Sequence, residues 1–326
     1  MNHMLPLRVA ALVPCWFGII TVWTATTCGL YGGDLYVNNA TGDDLRNGRS
    51  PESKGAAAGP VRTIAQALRL AKSGDRIVLT KTAEPYRESL TLQASNHSGL
   101  LGSPFEIVGN GATLDGTRPV PAGAWQHVRG DVYRFRLRKK AFQLLYLNGQ
   151  PASRREVPET RELPDLKALE YCLLKGDLYF RAAPGKAPGE HNLRHTALPV
   201  GITLYEAREV IVRDLVIQGF QLDGINAHDG VFGAQLTGLI CRGNGRSGIS
   251  VGGASRVLIE NCLVGNNGIA QVRTEGSSIT HLVGNDLIDD GRVPALLRRG
   301  GKVHIQASEP AAPEKPEPVP SPAKSP

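Results

Sequence analysis

The chain has 326 residues, 41% hydrophobic and 21% charged, which excludes wholesale disorder and a polytopic membrane protein. A chain this long buries a core without disulfide or metal staples. The net charge of +7 favours an anionic partner, an acidic polysaccharide or a nucleic acid, and 38 glycines without a collagen period imply many tight turns.

Residues 1–28 read as an export signal. Arg8 supplies a thin positive region, and residues 9–23 are apolar and uncharged. That stretch is shorter than the roughly 20 residues of a comfortable membrane span. Small residues at 24–29 would allow cleavage, so no membrane insertion is expected afterwards; Cys28 would suit a lipid anchor, but its two preceding threonines fit that signal poorly.

Residues 34–124 read as a cap and first coils. Within them, residues 60–72 predict a short amphipathic helix with Ile64, Leu68 and Ala71 on one face, Thr63 and Gln66 as a capping box, and Gly74 as its stop. Such a helix would plug the open end of a stack of strands. The segments 77–79, 90–92, 105–108 and 112–116 begin the first coils. Residues 125–196 break the pattern and read as an inserted β subdomain, with turns at Asn148-Gly149, Lys175-Gly176-Asp177 and Pro184-Gly185. It would wall one side of a groove or serve as decoration.

Residues 197–306 repeat. Leu215, Leu239 and Cys262 fall 24 and 23 residues apart, and Ile225 and Ile249 fall 24 apart. Each copy holds two or three short alternating strands punctuated by Gly or Asn, and residues 282–297 form a blurred fourth copy. With no helical stretch in the period, the pattern predicts an all-β solenoid of six or seven coils, like positions stacking at about 4.8 Å. Residues 307–326 are Pro-rich and read as a disordered tail or linker.

The residues Tyr36-Val37, Thr41-Gly42-Asp43-Asp44, Pro60-Val61-Arg62-Thr63-Ile64, Ser73-Gly74-Asp75 and Tyr86-Arg87-Glu88 resemble the N-terminal cap of secreted right-handed parallel β-helix proteins of the pectate-lyase-like superfamily. Val132-Tyr133, residues 145–149 and Leu178-Tyr179-Phe180 resemble a β-rich insert of some of its glycoside hydrolases. The resemblance covers most of residues 34–300. It implies a right-handed parallel β-helix and a polysaccharide-related function as lyase, hydrolase or epimerase, with sugar bound along one face; fold alone does not choose among these.

Alternation places the candidate site. With Ile225 and Ala227 inward, Asn226 and His228 point outward, followed on the next coils by Ser250, then Arg273 and Glu275; Tyr205 precedes them. Asp223, Asp229 and Arg246 flank this stripe. His228, Arg273, Glu275, Asp223 and Asp229 are the catalytic candidates, and Tyr205, Asn226, Arg246 and Ser250 the substrate-binding ones. A lyase would need a base and a neutralised uronate carboxylate, through calcium or an arginine; no lysine lies between Lys186 and Lys302, so His228 or Arg273 would serve. A hydrolase would need two carboxyl groups, and Asp223 or Asp229 with Glu275 lies two coils apart. The sequence motifs of polygalacturonases are absent, and Asp289-Asp290 falls in a turn.

Asx turns would equally account for Asp223, Asp229 and Asn244, Asn266-Asn267 would form a turn or amide ladder, and Arg246 and Arg256 would be solvated. A non-catalytic glycan-binding surface protein therefore stands beside the enzyme readings. No aromatic-basic stripe supports nucleic-acid binding, and the chain is expected to act as a monomer. Cys241 and Cys262 should lie buried on adjacent coils, one step out of line, roughly 8 Å apart and too far for a disulfide.

Overall fold

The computed structural model describes residues 32–137, 141–157, 161–289, 291 and 293–307. The expected signal, Asp290 and the tail beyond Ala307 lie outside them. The architecture is a right-handed parallel β-helix with an N-terminal capping helix and an inserted antiparallel β subdomain. No helix among the described residues is long and apolar enough to cross a membrane.

Each coil has three faces. Face A stacks Leu90–Gln93, Ile202–Tyr205, Asp223–His228 and Ser247–Val251, then residues 272–276 and 296–300. Face B begins at Asp34–Val37 and Arg76–Leu79 and continues through Ala234–Thr237 and Arg256–Glu260 to residues 302–306. Face C stacks residues 112–115 and 215–218, Ile240–Arg242, Leu263–Gly265 and Asp286–Leu287. The registers Ile225↔Ile249↔Val272 reproduce the repeat read from the sequence.

The interior is apolar where the alternation requires it: Ile202, Ile225, Ile249, Val272, Val212, Leu236 and Ile259 are wholly buried in one continuous core. The corners explain much of the glycine. Asn110, Asp214, Gly238, Asn261 and Gly284 stack as one column with φ between 51° and 62°, a left-handed conformation that favours Gly, Asn and Asp. At another corner Asn244 and Asn267 form a buried amide ladder, with Asn244 Nδ2 donating to Asn267 Oδ1 at 3.1 Å.

The helix Ile64–Leu70 covers the first coil with Ile64, Ala67 and Leu68. Thr63 caps it by accepting from Gln66 N, but the reciprocal arm of the expected box is missing: Gln66 Nε2 donates to the Asp44 carbonyl instead. The orphan amides of Ile64 and Ala65 donate to the Glu88 carboxylate from the next coil. The helix ends at Leu70, ahead of Gly74, because Ala71 is extended. His97 secures that end, bonded to the Leu68 carbonyl through Nε2 and to Gln93 N through Nδ1.

The antiparallel elements begin before residue 125, since Thr117–Pro119 already pairs with Leu193–Thr196. The insert holds two four-stranded sheets and its own apolar cluster of Leu145, Tyr171, Leu178 and Phe180. It rests on the corners of the solenoid: Tyr146 Oη donates to the Gly243 carbonyl at 2.6 Å. Cys172, Cys241 and Cys262 are buried free thiols. Cys241 is in register with Val264, which sets Cys262 beside Leu239, and burial pushes the Cys262 thiol up to about 11.

Candidate functional site

Face A places the outward side chains in two rows. Register aligns Thr203, Asn226, Ser250 and Arg273 in one row. The other row runs from Tyr205 to His228, then through Gly252 to Glu275. Strand alternation produces both rows, because Ile225, Ala227, Ile249 and Val251 occupy the interior.

The second row carries the reactive groups. His228 Nδ1 lies 2.8 Å from Asp229 Oδ2, and the ring stands edge-on to Tyr205 with centroids 5.5 Å apart. The carboxylate accepts from Nδ1–H, which leaves Nε2 as the acceptor of the neutral ring. Arg273 holds Glu275 with both guanidinium nitrogens, one at 3.1 Å. Glu275 folds back over Gly252, where an added Cβ would lie 3.3 Å from Oε1. Asp229 stacks on Gly253, where an added Cβ would lie 2.7 Å from Asp229 N and 3.2 Å from its Oδ1. Two carboxylates from the coils on either side thus flank a floor of two glycines. Gly253 has φ +60 and Asp229 φ 57, so the corner that carries the acid also requires the glycine beneath it.

Three candidates need correction. Asp223 is fully buried, paired through both oxygens with Arg246 and bonded by the Ser247 hydroxyl. It does not face solvent, and Arg246 is engaged with it rather than solvated; the Asp223 hydrogen bond, with added attraction from Glu275, raises the Arg246 pKa. Ser250 is also buried, its Oγ without a hydrogen-bond partner among the described residues, so it contacts no ligand as placed. Arg256 is exposed, as expected, and shares the Phe232 ring with Arg208, at 5.4 and 5.2 Å. Asn226 remains half-exposed with no hydrogen bond to described residues. No three His, Cys, Asp or Glu side chains gather as a metal cage among the described residues.

Alternation puts Gly252 outward beside Ser250, but the sequence reading gave neither it nor Gly253 a role; they present no chemistry themselves but leave room for Glu275. Their adjacency on a solenoid strand end was the available signal.

Residues 192–309 match the family model described as a right handed beta helix region. Among solved structures, a glycoside hydrolase superposes with TM-score 0.56 at 10% identity, covering 78% of this chain and 73% of that one. A complex of XylC with xylose is 13% identical over 84% of this chain and 70% of that one, with TM-score 0.39. Pectate lyase Pel9A is 12% identical over 88% and 81%, with TM-score 0.28. No curated protein matches the chain. At these identities the likeness concerns the fold alone, and only the first superposition is close enough to support it. Strand register, coil period and the match over residues 192–309 agree on one fold, a right-handed parallel β-helix.

Proposed function

We propose that this protein hydrolyses a glycosidic bond of a polysaccharide laid along face A. The observation that carries this reading is the placement of Asp229 and Glu275 on either side of Gly252 and Gly253. Their backbones are two coils, roughly 9.6 Å, apart. Direct attack by water calls for carboxyl groups about 6.5–9.5 Å apart, a separation that a two-coil spacing accommodates.

In this mechanism Glu275, paired with Arg273, takes a proton from a water whose oxygen attacks the anomeric carbon. The bond to the departing sugar oxygen breaks with its electron pair. That oxygen receives a proton from the protonated His228–Asp229 pair, whose carboxylate stabilises the imidazolium while the proton is held. Solvent returns the proton from Glu275 to the pair. Tyr205 and Asn226 supply a ring and an open amide for adjacent sugars. Elimination is less well supported, because Arg273, the cation that would neutralise a uronate carboxylate, already pairs with Glu275. A single chain carries both carboxylates, so the mechanism needs no second copy. The apolar residues 9–23 support export to where such polymers occur.

The same two arginine–carboxylate pairs leave face A nearly neutral, which favours non-catalytic glycan binding as a second reading. The test is incubation with neutral and acidic polysaccharides, with and without calcium. New reducing ends without unsaturated-product absorbance support hydrolysis. Unsaturated ends would show a lyase, and retention without products a binding protein.

A further inference from the structure

A second concave feature lies where the insert meets the solenoid. It is a cleft of about 680 Å³ lined by Arg118, Arg136, Phe135, His195, Leu198 and Gln221, with prolines completing an apolar wall. No acidic residue lines it. Leu198 and Gln221 sit in the turns that lead into the strands Ile202–Tyr205 and Asp223–His228, so the cleft borders face A.

Its cations differ from those of face A. Arg246 and Arg273 are both paired with carboxylates. Arg118 and Arg136 are exposed, and neither has a hydrogen bond or ion pair with a described residue. His195 lies opposite Arg118 in the sheet of the insert. Its Nδ1 donates to the Thr196 carbonyl at 2.9 Å, leaving Nε2 as an acceptor with no partner among the described residues. Burial lowers its pKa, and repulsion by Arg118 and Arg194 adds to the effect, so the neutral ring is favoured. The Phe135 ring stands edge-on to it at 5.2 Å.

We propose that this cleft binds the carboxylate-bearing sugar of an acidic polysaccharide. Arg118 and Arg136 meet the carboxylate, for which the planar guanidinium is suited. Phe135 and the prolines cover the apolar side of the ring, and His195 Nε2 accepts from a sugar hydroxyl. The assignment rests on the reading of the protein as polysaccharide-active, and it names uronate polymers as the substrate class.

The test is calorimetric titration of the full chain with trigalacturonate, with neutral galactotriose and with a sulfated galactan trisaccharide. Arg118→Gln with Arg136→Gln should weaken trigalacturonate binding at least tenfold and leave the neutral trisaccharide at its wild-type level. Added salt should weaken the wild-type interaction in the same direction. His195→Phe should weaken it several-fold. Glu275→Gln should leave trigalacturonate binding intact while removing turnover: binding without any wild-type turnover would overturn the hydrolase reading and keep the cleft, and loss of binding in this variant would overturn the cleft. Unchanged binding in the double arginine variant, equal loss of the neutral sugar, or tighter binding of the sulfated one would overturn the cleft assignment.

Discussion

Two arginine–carboxylate pairs stand on face A and do different work. Arg246–Asp223 closes the start of the strands, where the Asp223 side chain is 0% exposed. Arg273–Glu275 closes their far end, where the Glu275 side chain is 40% exposed. The chemistry of the pairs is the same. Burial separates them: the first carboxylate can only support its neighbours, whereas the second can meet a substrate.

The largest expected effect sharpens that difference. Glu275→Gln or Asp229→Asn should lower turnover by about 10²–10⁴-fold with only a small shift of the unfolding midpoint, because the amide keeps an acceptor oxygen for the partner side chain. Reducing-end assays with denaturant titration of each variant would check both halves. Equal turnover in either variant would remove the carboxylate from the mechanism.

Asp223→Ala should show the reverse pattern. It leaves Arg246 without its partner in a partly buried site, a change that costs about 3 kcal/mol. Sugar retention per folded molecule should persist. An Asp223→Ala protein as stable as wild type would mean that the pair is not structural.

Gly252→Ala tests the glycine floor. Its Cβ would lie 3.1 Å from Glu275 Cγ, so the carboxylate must shift, while the backbone has no positive φ to oppose the substitution. Turnover should fall on the order of tenfold, equivalent to about 1.4 kcal/mol in the barrier, with stability almost unchanged. An unaltered rate would show that the position of Glu275 over Gly252 does not matter.

Tyr146→Phe probes the seam between insert and solenoid. It removes the bond to the Gly243 carbonyl and should cost about 1 kcal/mol. Cleavage by a protease within the insert should accelerate while hydrogen exchange on face A stays unchanged.

The smallest effect lies at the far end of the solenoid and serves as a contrast to face A. Burial lowers the pKa of His97. Its contribution to stability is therefore complete above the unfolded value of about 6.5 and is lost as pH falls from there toward the folded value. Hydrogen exchange in the helix Ile64–Leu70 should quicken over that window, and His97→Gln should flatten the dependence.

The contrast between the two pairs was only half legible in the sequence. Counting outward from Ile225 placed His228 and Glu275 in one row, as the structure has them. The same count gives Asp223 the inward parity of Ile225, and the structure buries it, although the sequence reading set it at the flank of the stripe. A Cβ on Gly224 would point inward, 2.9 Å from Asn244 Nδ2 and 3.4 Å from Ile217 Cγ2, so Gly224 and Ile225 both face the interior and the alternation breaks between them. Ser250 had the right parity, but its burial depends on neighbouring coils that alternation does not describe. Asp229 was readable as a turn residue, and its positive φ agrees. That it is also a carboxylate stacked on Gly253 needed the coil above it.

What the sequence determined by itself was the coil period, the inward and outward rows of face A, and the offset that keeps Cys241 and Cys262 apart. A parallel solenoid repeats one backbone path every 23 or 24 residues, so a local pattern copied along the chain is also a pattern copied through space. Tertiary structure alone decided which arginine is buried with its acid, where two carboxylates flank a glycine floor, and how the insert forms a cationic cleft. Those features depend on side chains leaning between coils and on contacts such as Tyr146 with Gly243, 97 residues apart and outside the repeat, where no periodicity constrains the approach.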